Sequence, residues 1–218
     1  YQSQQGSQAD ELRGKIMSRV TALKMLCSHP ELLRLSADKF GQLGGEGSQY
    51  AYELVSNGHL DGVTSSPKLD LVVEYVKEFL DQRPDNKVVI FATYVDMVKM
   101  LKTSLGDEGI VTYTGELDAK TKEDNKIAFN TNPNVRVLIS SDAGGYGVDL
   151  PAANLLINYD LPWSNGLAIQ RNGRIKRASS TWPTIVIQDF LFNGSIEIRQ
   201  YEALQQKNTV ANAVMDGK

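Results

Sequence analysis

Three arginines at a spacing of three residues are the feature of this sequence most suggestive of chemistry. Arg171, Arg174 and Arg177 lie in the segment Ile-Gln-Arg-Asn-Gly-Arg-Ile-Lys-Arg, and in a helix or tight turn they would project in roughly the same direction. Residues 161–188 contain four cations and no anions, although the whole chain has a net charge of -3. Because guanidinium groups present planar, permanently charged donors to phosphate, the segment predicts a site for a triphosphate. A solvated basic surface is the alternative interpretation.

An apolar strand and a glycine-rich turn precede this basic segment. The turn, Ser-Asp-Ala-Gly-Gly-Tyr-Gly-Val-Asp-Leu-Pro at residues 141–151, lacks the G-x-G-x-x-G spacing of a dinucleotide-binding loop. By itself such a turn indicates only a loop. The order of strand, glycine turn, second strand and arginine segment favours a phosphate site over that simpler interpretation. An unrelated Rossmann enzyme fits less well, because no fingerprint turn follows the first strand.

The elements that position these residues alternate between helix and strand. Amphipathic periodicity predicts helices at residues 68–83, 95–105, 119–129, 166–171 and 195–214. Short apolar runs predict strands at residues 87–92, 111–113, 135–140, 154–158 and 184–189. Such alternation implies right-handed crossovers and a parallel sheet covered by helices on both faces. Ligands bind at the carboxyl ends of such strands, where residues 113–115 and 140–147 fall.

The first third of the chain reads as a helical appendage, which divides the sequence into residues 1–66 and 67–218. Residues 1–10 are polar and are expected to be loose, and helices are expected at residues 10–26, 31–40 and 48–55. His29 precedes Pro30, a pair that should end the first helix. His29 is therefore interpreted as a terminator or cap and not as a catalytic residue.

Composition restricts the class of protein further. A hydrophobic content of 41% and a charged content of 22% are typical of a globular domain. One cysteine excludes an internal disulfide, and two histidines leave no zinc site to assemble. No apolar run reaches the ~20 residues that cross a bilayer, and the amino terminus is not a signal peptide, so no membrane partner and a cytoplasmic location are expected.

Two motifs that ATP hydrolysis requires are missing from the sequence. There is no G-x-x-x-x-G-K-S/T phosphate loop, and no strand ends in the Asp-Glu pair that would hold magnesium. The chain thus has arginines suited to a γ-phosphate and nothing to hold the metal of the nucleotide. This asymmetry predicts half of an active site.

The order of these segments resembles the C-terminal RecA-like lobe of superfamily-two helicases and translocases, in the Swi/Snf branch. Residues 137–151 resemble motif five, residues 169–177 motif six and residues 87–94 motif four of that lobe. Upstream, residues 22–33 resemble its L-R-x-x-C-x-H-P-x-L segment and residues 66–69 its S-x-K-L segment. The resemblance, which ends in a helical brace, runs from about residue 11 to the carboxyl terminus. It implies a three-layer RecA-like (Rossmann-like) α/β fold with a small N-terminal helical appendage.

The resemblance also implies a role for individual residues. It makes Arg174 and Arg177 catalytic arginine fingers for ATP. The positions implied to approach the nucleotide or couple the lobes are Gly147, Asp149, Gln170 and Arg171. The positions implied to contact DNA phosphates are Thr93, Gly115, Lys120 and Ser141. A turn or helix-cap carboxylate is the alternative for Asp149.

The implied partners complete this hypothesis. ATP and Mg would be bound mainly by a missing N-terminal RecA-like lobe, the chain itself would bind no metal, and double-stranded DNA would be bound without sequence preference by a monomer. Isolated from that lobe, the chain would hydrolyse no ATP. Departures from the pattern, such as Ala178 and Ser179 after motif six, suggest a compact prokaryotic or viral member. The alternative function is a RecA-like module that binds nucleic acid or protein without catalysis.

Overall fold

The computed structural model describes residues 2–43, 47–142, 147–176, 178–180 and 182–215. It contains two compact units, one formed by residues 1–67 with 194–196 and the other by residues 68–193 with 197–218. Across the described ranges, no helix is both long enough and apolar enough to cross a membrane.

The first unit contains three helices, α1 (Gln2–Ser28), α2 (Pro30–Leu43) and α3 (Gln49–Ser56). Its small core is apolar and consists of Ala22, Leu33, Ala37, Ala51 and Leu60. The prediction of a loose tail at residues 1–10 was wrong, because α1 already begins at Gln2. No proline interrupts the segment, so its sequence is compatible with a helix.

His29 separates α1 from α2 as the sequence predicted. Its backbone N–H donates to the Met25 carbonyl at 2.8 Å, which ends α1. Its Nδ1 accepts the Glu31 N–H at 3.1 Å and so satisfies one of the free donors at the start of α2, where Pro30 is the first helical residue. The interpretation of His29 as a cap is confirmed.

The second unit is built on a five-stranded sheet, and all pairs of neighbouring strands are parallel. The strands are β1 (Val88–Phe91), β2 (Ile110–Tyr113), β3 (Val137–Ser140), β4 (Leu155–Asn158) and β5 (Val186–Asp189), in the spatial order β2-β3-β1-β4-β5. The helices are α4 (Pro67–Gln82), α5 (Val95–Leu105), α6 (Ala119–Thr131), α7 (Asn165–Asn172) and α8 (Ile196–Met215). The predicted α/β fold of RecA-like type is confirmed.

The three central strands are buried along their whole length, which explains their continuous apolar sequences. The register places the strand ends side by side: Phe91 pairs with both Ser140 and Asn158, Ser140 pairs with Tyr113, and Asn158 pairs with Asp189. The predicted position of residues 113–115 and 140–147 at this edge of the sheet is therefore observed for residues 113–115 and 140–142, whereas residues 143–146 lie outside the described residues.

Candidate functional site at the carboxyl edge of the sheet

Arg171 is the centre of a hydrogen-bond network at this edge. It lies in the last turn of α7 and is only 3% exposed. Its Nε and Nη2 donate to the two carboxylate oxygens of Asp142 at 2.6 and 2.8 Å. Its Nη1 donates to the Asp160 carbonyl at 2.7 Å and to Asn158 Oδ1 at 3.4 Å. Such a pairing is needed because a buried guanidinium without partners would be very costly.

The fifth hydrogen bond of Arg171 joins Nη2 to Thr93 Oγ1 at 3.3 Å. Five bonds equal the number of N–H groups on a guanidinium, so no donor is left over for a ligand. The guanidinium also lies 5.5 Å from the centroid of the Phe91 ring. Arg171 therefore holds the ends of several strands to α7, and its role toward the nucleotide stays a prediction.

Asp160 is the most deeply buried charge in the network. It is fully buried, and its two carboxylate oxygens each accept the Thr93 N–H at 3.0 Å. The Thr93 hydroxyl donates to Oδ1 of the same carboxylate, and Nη2 of Arg171 lies 3.5 Å from that oxygen. The loop after β1 and the loop after β4 are thus tied to one carboxylate.

Asn158 extends the network to the edge strand β5. Its Nδ2 donates to Asp189 Oδ1 at 2.7 Å, while its Oδ1 accepts from Arg171. A cavity of about 110 Å³ between α7 and α8 borders Asn158 and Asp189, and Asn172 and Tyr201 also line it. Asn158 and Asp189 therefore belong to the network and also line the cavity, which α8 lines as well.

Arg174 differs from Arg171 in its burial and in its hydrogen-bond partners. Helix α7 ends at Asn172, with Gly173 as its cap, and the chain continues in a turn. The expectation that Arg171, Arg174 and Arg177 project in roughly the same direction in a helix or tight turn stays a prediction. Arg174 is half-buried, and among the described residues its guanidinium has no hydrogen-bond or ion-pair partner. Arg177, the other predicted finger, lies outside the described residues.

The backbone of Arg174 is held by hydrogen bonds, although its guanidinium has no partner in the described part of the chain. Its N–H donates to the Arg171 carbonyl at 3.0 Å, and its carbonyl accepts the Leu150 N–H at 2.9 Å. The second bond joins the segment after α7 to the segment that precedes β4. Both candidate motifs, the glycine turn and the arginine segment, are thus attached to each other near Arg174.

The other positions predicted to face the nucleotide are exposed. Gly147 has a φ of +74°, a backbone conformation that glycine adopts without strain, and a Cβ there would meet nothing within 4 Å. Asp149 is exposed, and its carbonyl accepts from Asn130 Nδ2 at 3.2 Å. Gln170 is exposed on α7. Their roles toward the nucleotide stay predictions.

Two of the four residues predicted to contact DNA are engaged within the lobe. The N–H and the hydroxyl of Thr93 both donate to Asp160, so the donors that made Thr93 a candidate for phosphate binding are occupied. Ser141 is only 1% exposed, and its N–H donates to the Tyr113 carbonyl at 3.2 Å. In this arrangement neither residue offers a free, accessible donor to a DNA strand.

Gly115 and Lys120 remain accessible beyond the end of β2. Lys120 is in the first turn of α6, a helix that begins with Asp118 as its cap. The Asp118 carboxylate accepts the Thr121 N–H at 2.9 Å and the Thr121 hydroxyl at 2.7 Å, and these hydrogen bonds lower the pKa of Asp118. The anion already occupies the helix start, and Lys120 adds an exposed positive charge there.

The sequence did not single out Asp142 and Asp160 as partners of Arg171. A weak signal was present, since each follows an apolar strand by two residues and so must lie at the ligand-binding edge. In the described ranges there is no group of three histidine, cysteine, aspartate or glutamate residues that could hold a metal ion.

Comparison with known proteins agrees with this architecture. The family model described as "Helicase conserved C-terminal domain" matches residues 68–179, just over half of the chain. The RAD54-like DNA repair and recombination protein of Gallus gallus is 27% identical over 224 residues, covering 97% of this chain and 30% of that protein. The human lymphoid-specific helicase is 29% identical over 179 residues, covering 81% of this chain and 20% of that protein. The chain thus spans less than a third of these relatives.

Solved structures give the same result. The SWI2/SNF2 ATPase core of Sulfolobus solfataricus in complex with dsDNA superposes with a TM-score of 0.63 at 25% identity, covering 90% of this chain and 36% of that chain. The C-terminal domain of the same ATPase superposes with a TM-score of 0.59 at 24% identity, covering 89% of this chain and 70% of that chain. With the family match and the parallel sheet, these similarities identify the chain as a helicase C-terminal domain of the SWI2/SNF2 type.

Proposed function

We propose that this chain is the second motor lobe of an ATP-dependent translocase on double-stranded DNA. In this proposal Arg174, together with Arg177, supplies positive charge to ATP that is bound by an N-terminal RecA-like lobe of the same protein. The proposal rests mainly on Arg174. Its guanidinium is half-buried and has no partner among the described residues, whereas its backbone is held on both sides.

The contrast between Arg171 and Arg174 supports different roles for the two residues. Arg171 is saturated with hydrogen bonds and holds α7 against the strand ends. Arg174 follows three residues later and keeps its donors for a group outside the lobe. A cation that is already in place stabilises the charge of a transferring phosphoryl group without reorganisation, an effect worth roughly 10³–10⁵ in turnover. ATP and Mg would be held by the missing lobe.

Duplex DNA is the proposed substrate for translocation because the similar SWI2/SNF2 ATPase core of Sulfolobus solfataricus is in complex with dsDNA. The contact of this lobe should be weak and independent of sequence. The whole chain has a net charge of -3, so no global field attracts it to DNA. The backbone amides near Gly115 and the exposed ammonium group of Lys120 would fix the position of a DNA strand without reading its bases. An intracellular location and a monomeric state belong to the same proposal.

Replacement of Arg174 by alanine in the intact protein tests the catalytic part. We expect DNA-stimulated turnover to fall by at least ~10²-fold while ATP affinity changes far less, because the finger acts on charge that develops in the transition state. Single-turnover hydrolysis and a nucleotide titration measure the two effects separately. Exposed Arg13, whose nearest ion-pair partner Asp10 lies on the same helix, is a suitable control for loss of a guanidinium.

Three outcomes separate the alternatives. Loss of ATP binding with normal turnover at saturation would make Arg174 a ground-state contact. Unchanged binding and unchanged turnover would mean that Arg174 is no finger. An intact protein that binds DNA but never hydrolyses ATP would favour the non-catalytic binding module.

A further inference from the structure

We propose that Asp160 is a positioning residue that links the loop between β1 and α5 to Arg171 and thereby to Arg174. In this proposal Thr93 is the residue of the loop that Asp160 and Arg171 hold, and it is not a ligand for DNA phosphate. The inference deepens the proposed function and rests on it, since it concerns how Arg174 is held for catalysis.

The first argument is the number of bonds that converge on one buried carboxylate. Both oxygens of Asp160 accept the Thr93 N–H at 3.0 Å, and one of them also accepts the Thr93 hydroxyl and faces Arg171 at 3.5 Å. Because Asp160 is fully buried, solvent cannot replace any of these contacts when one of them is lost. The carboxylate therefore fixes the relative position of Thr93 and Arg171.

The second argument is the closed triangle of side chains. Thr93 donates to Asp160 and also accepts from Arg171 Nη2 at 3.3 Å, so each of the three residues contacts the other two. A hydroxyl that donates to an anion and accepts from a cation has its orientation determined by both. Such an arrangement constrains Thr93 far more than a surface contact with phosphate would require.

The third argument is the short path from the triangle to Arg174. Strands β1 and β4 are neighbours and Phe91 pairs with Asn158, so the loops that carry Thr93 and Asp160 leave the sheet side by side. Arg171 is in the last turn of α7, and its carbonyl accepts the Arg174 N–H at 3.0 Å. A displacement of the loop after β1 would therefore move Arg171 and the backbone of Arg174 together.

Thr93→Val in the intact protein separates positioning from direct DNA contact. Valine keeps the shape of threonine and removes the hydroxyl. We expect turnover at saturating duplex DNA to fall about tenfold, while the DNA concentration that gives half-maximal stimulation changes by less than about twofold. Thr93→Ser restores the hydroxyl and should recover most of the turnover. Thr103→Val is the matched control, because that exposed hydroxyl donates to the Lys99 carbonyl of its own helix.

A double-mutant cycle with Asp160→Asn tests whether the two residues act as one unit. Asparagine keeps the shape of aspartate and removes its charge. If both substitutions break the same link, the double variant should be no more than about twofold slower than the slower single variant, although independent effects would multiply. Multiplied effects would overturn the link between Thr93 and Asp160. If Asp160→Asn does not fold, the valine and serine variants of Thr93 still decide whether Thr93 positions Arg171 or contacts DNA.

Other outcomes distinguish this inference from the proposed function. A rise in the half-saturating DNA concentration with unchanged turnover would make Thr93 a DNA contact and overturn the inference. Unchanged values of both in Thr93→Val would also overturn it, while the proposed function would stand. A wild-type protein without DNA-stimulated hydrolysis would overturn the proposed function itself, before any variant is compared.

Discussion

Replacement of Lys68 by methionine should destabilise the second unit strongly. Lys68 is in the first turn of α4, and its Nζ donates to both carboxylate oxygens of Glu197, in the first turn of α8, at 2.7 and 2.9 Å. The two side chains are 3% and 0% exposed. The ammonium also lies 5.1 Å from the centroid of the Tyr159 ring. The pair therefore ties the first and last helices of the unit together inside the protein.

The magnitude follows from this burial. Methionine occupies about the volume of lysine but leaves the Glu197 carboxylate without its cation, although the Phe192 N–H still donates to it at 2.8 Å. Leaving one charge of a buried pair uncompensated costs about 3–5 kcal/mol. For a domain of this size we expect Tm to fall by about 6–20 °C. Replacing both residues, as in Lys68→Met with Glu197→Leu, should recover most of the loss, because apolar pairs often replace buried ion pairs without cost.

Urea unfolding of the 218-residue chain, followed by circular dichroism, measures these free energies. Lys77→Met is the matched control, since Lys77 is an exposed lysine on the same helix and should change stability by less than ~0.5 kcal/mol. A loss below about 1 kcal/mol for Lys68→Met would refute the reasoning. A double variant that is as unstable as the sum of both single variants would refute it as well.

The remaining predictions concern the capping carboxylate and the DNA contact. Because hydrogen bonds from Thr121 lower the pKa of Asp118, its charge should stabilise the fold above the ordinary carboxyl pKa and lose this effect as pH falls below about 4. An NMR titration of the Asp118 carboxyl checks this, and Thr121→Val should return its midpoint toward the ordinary value. DNA affinity of the chain should fall with salt at a log–log slope of only about -1 to -3, equally for two unrelated duplexes, in anisotropy titrations. A tenfold preference for one duplex, or a steeper slope, would favour a dedicated binding module over a motor lobe.

The amino-acid sequence by itself determined the order of the elements and the class of the fold. Short apolar runs predict five strands, all of which are present, and the continuous runs mark the three central strands that are buried. These signals are local, because periodicity, proline and capping residues act within a few positions along the chain. For the same reason the helix stop at His29 was predicted correctly, whereas the start of α1 was not, since a polar segment can be either helix or coil.

Only the tertiary structure decided which residues of the site are available. Arg171 and Arg174 look equivalent in the sequence, yet one is saturated with partners and the other has none among the described residues. The partners are distant along the chain: Thr93 and Asp160 are 67 residues apart. Whether a polar side chain is free or engaged depends on strand register and burial, which bring such residues together. The spacing of residues along the chain does not reveal those contacts, so the sequence predicts a candidate site at the strand ends but not which donors remain unused.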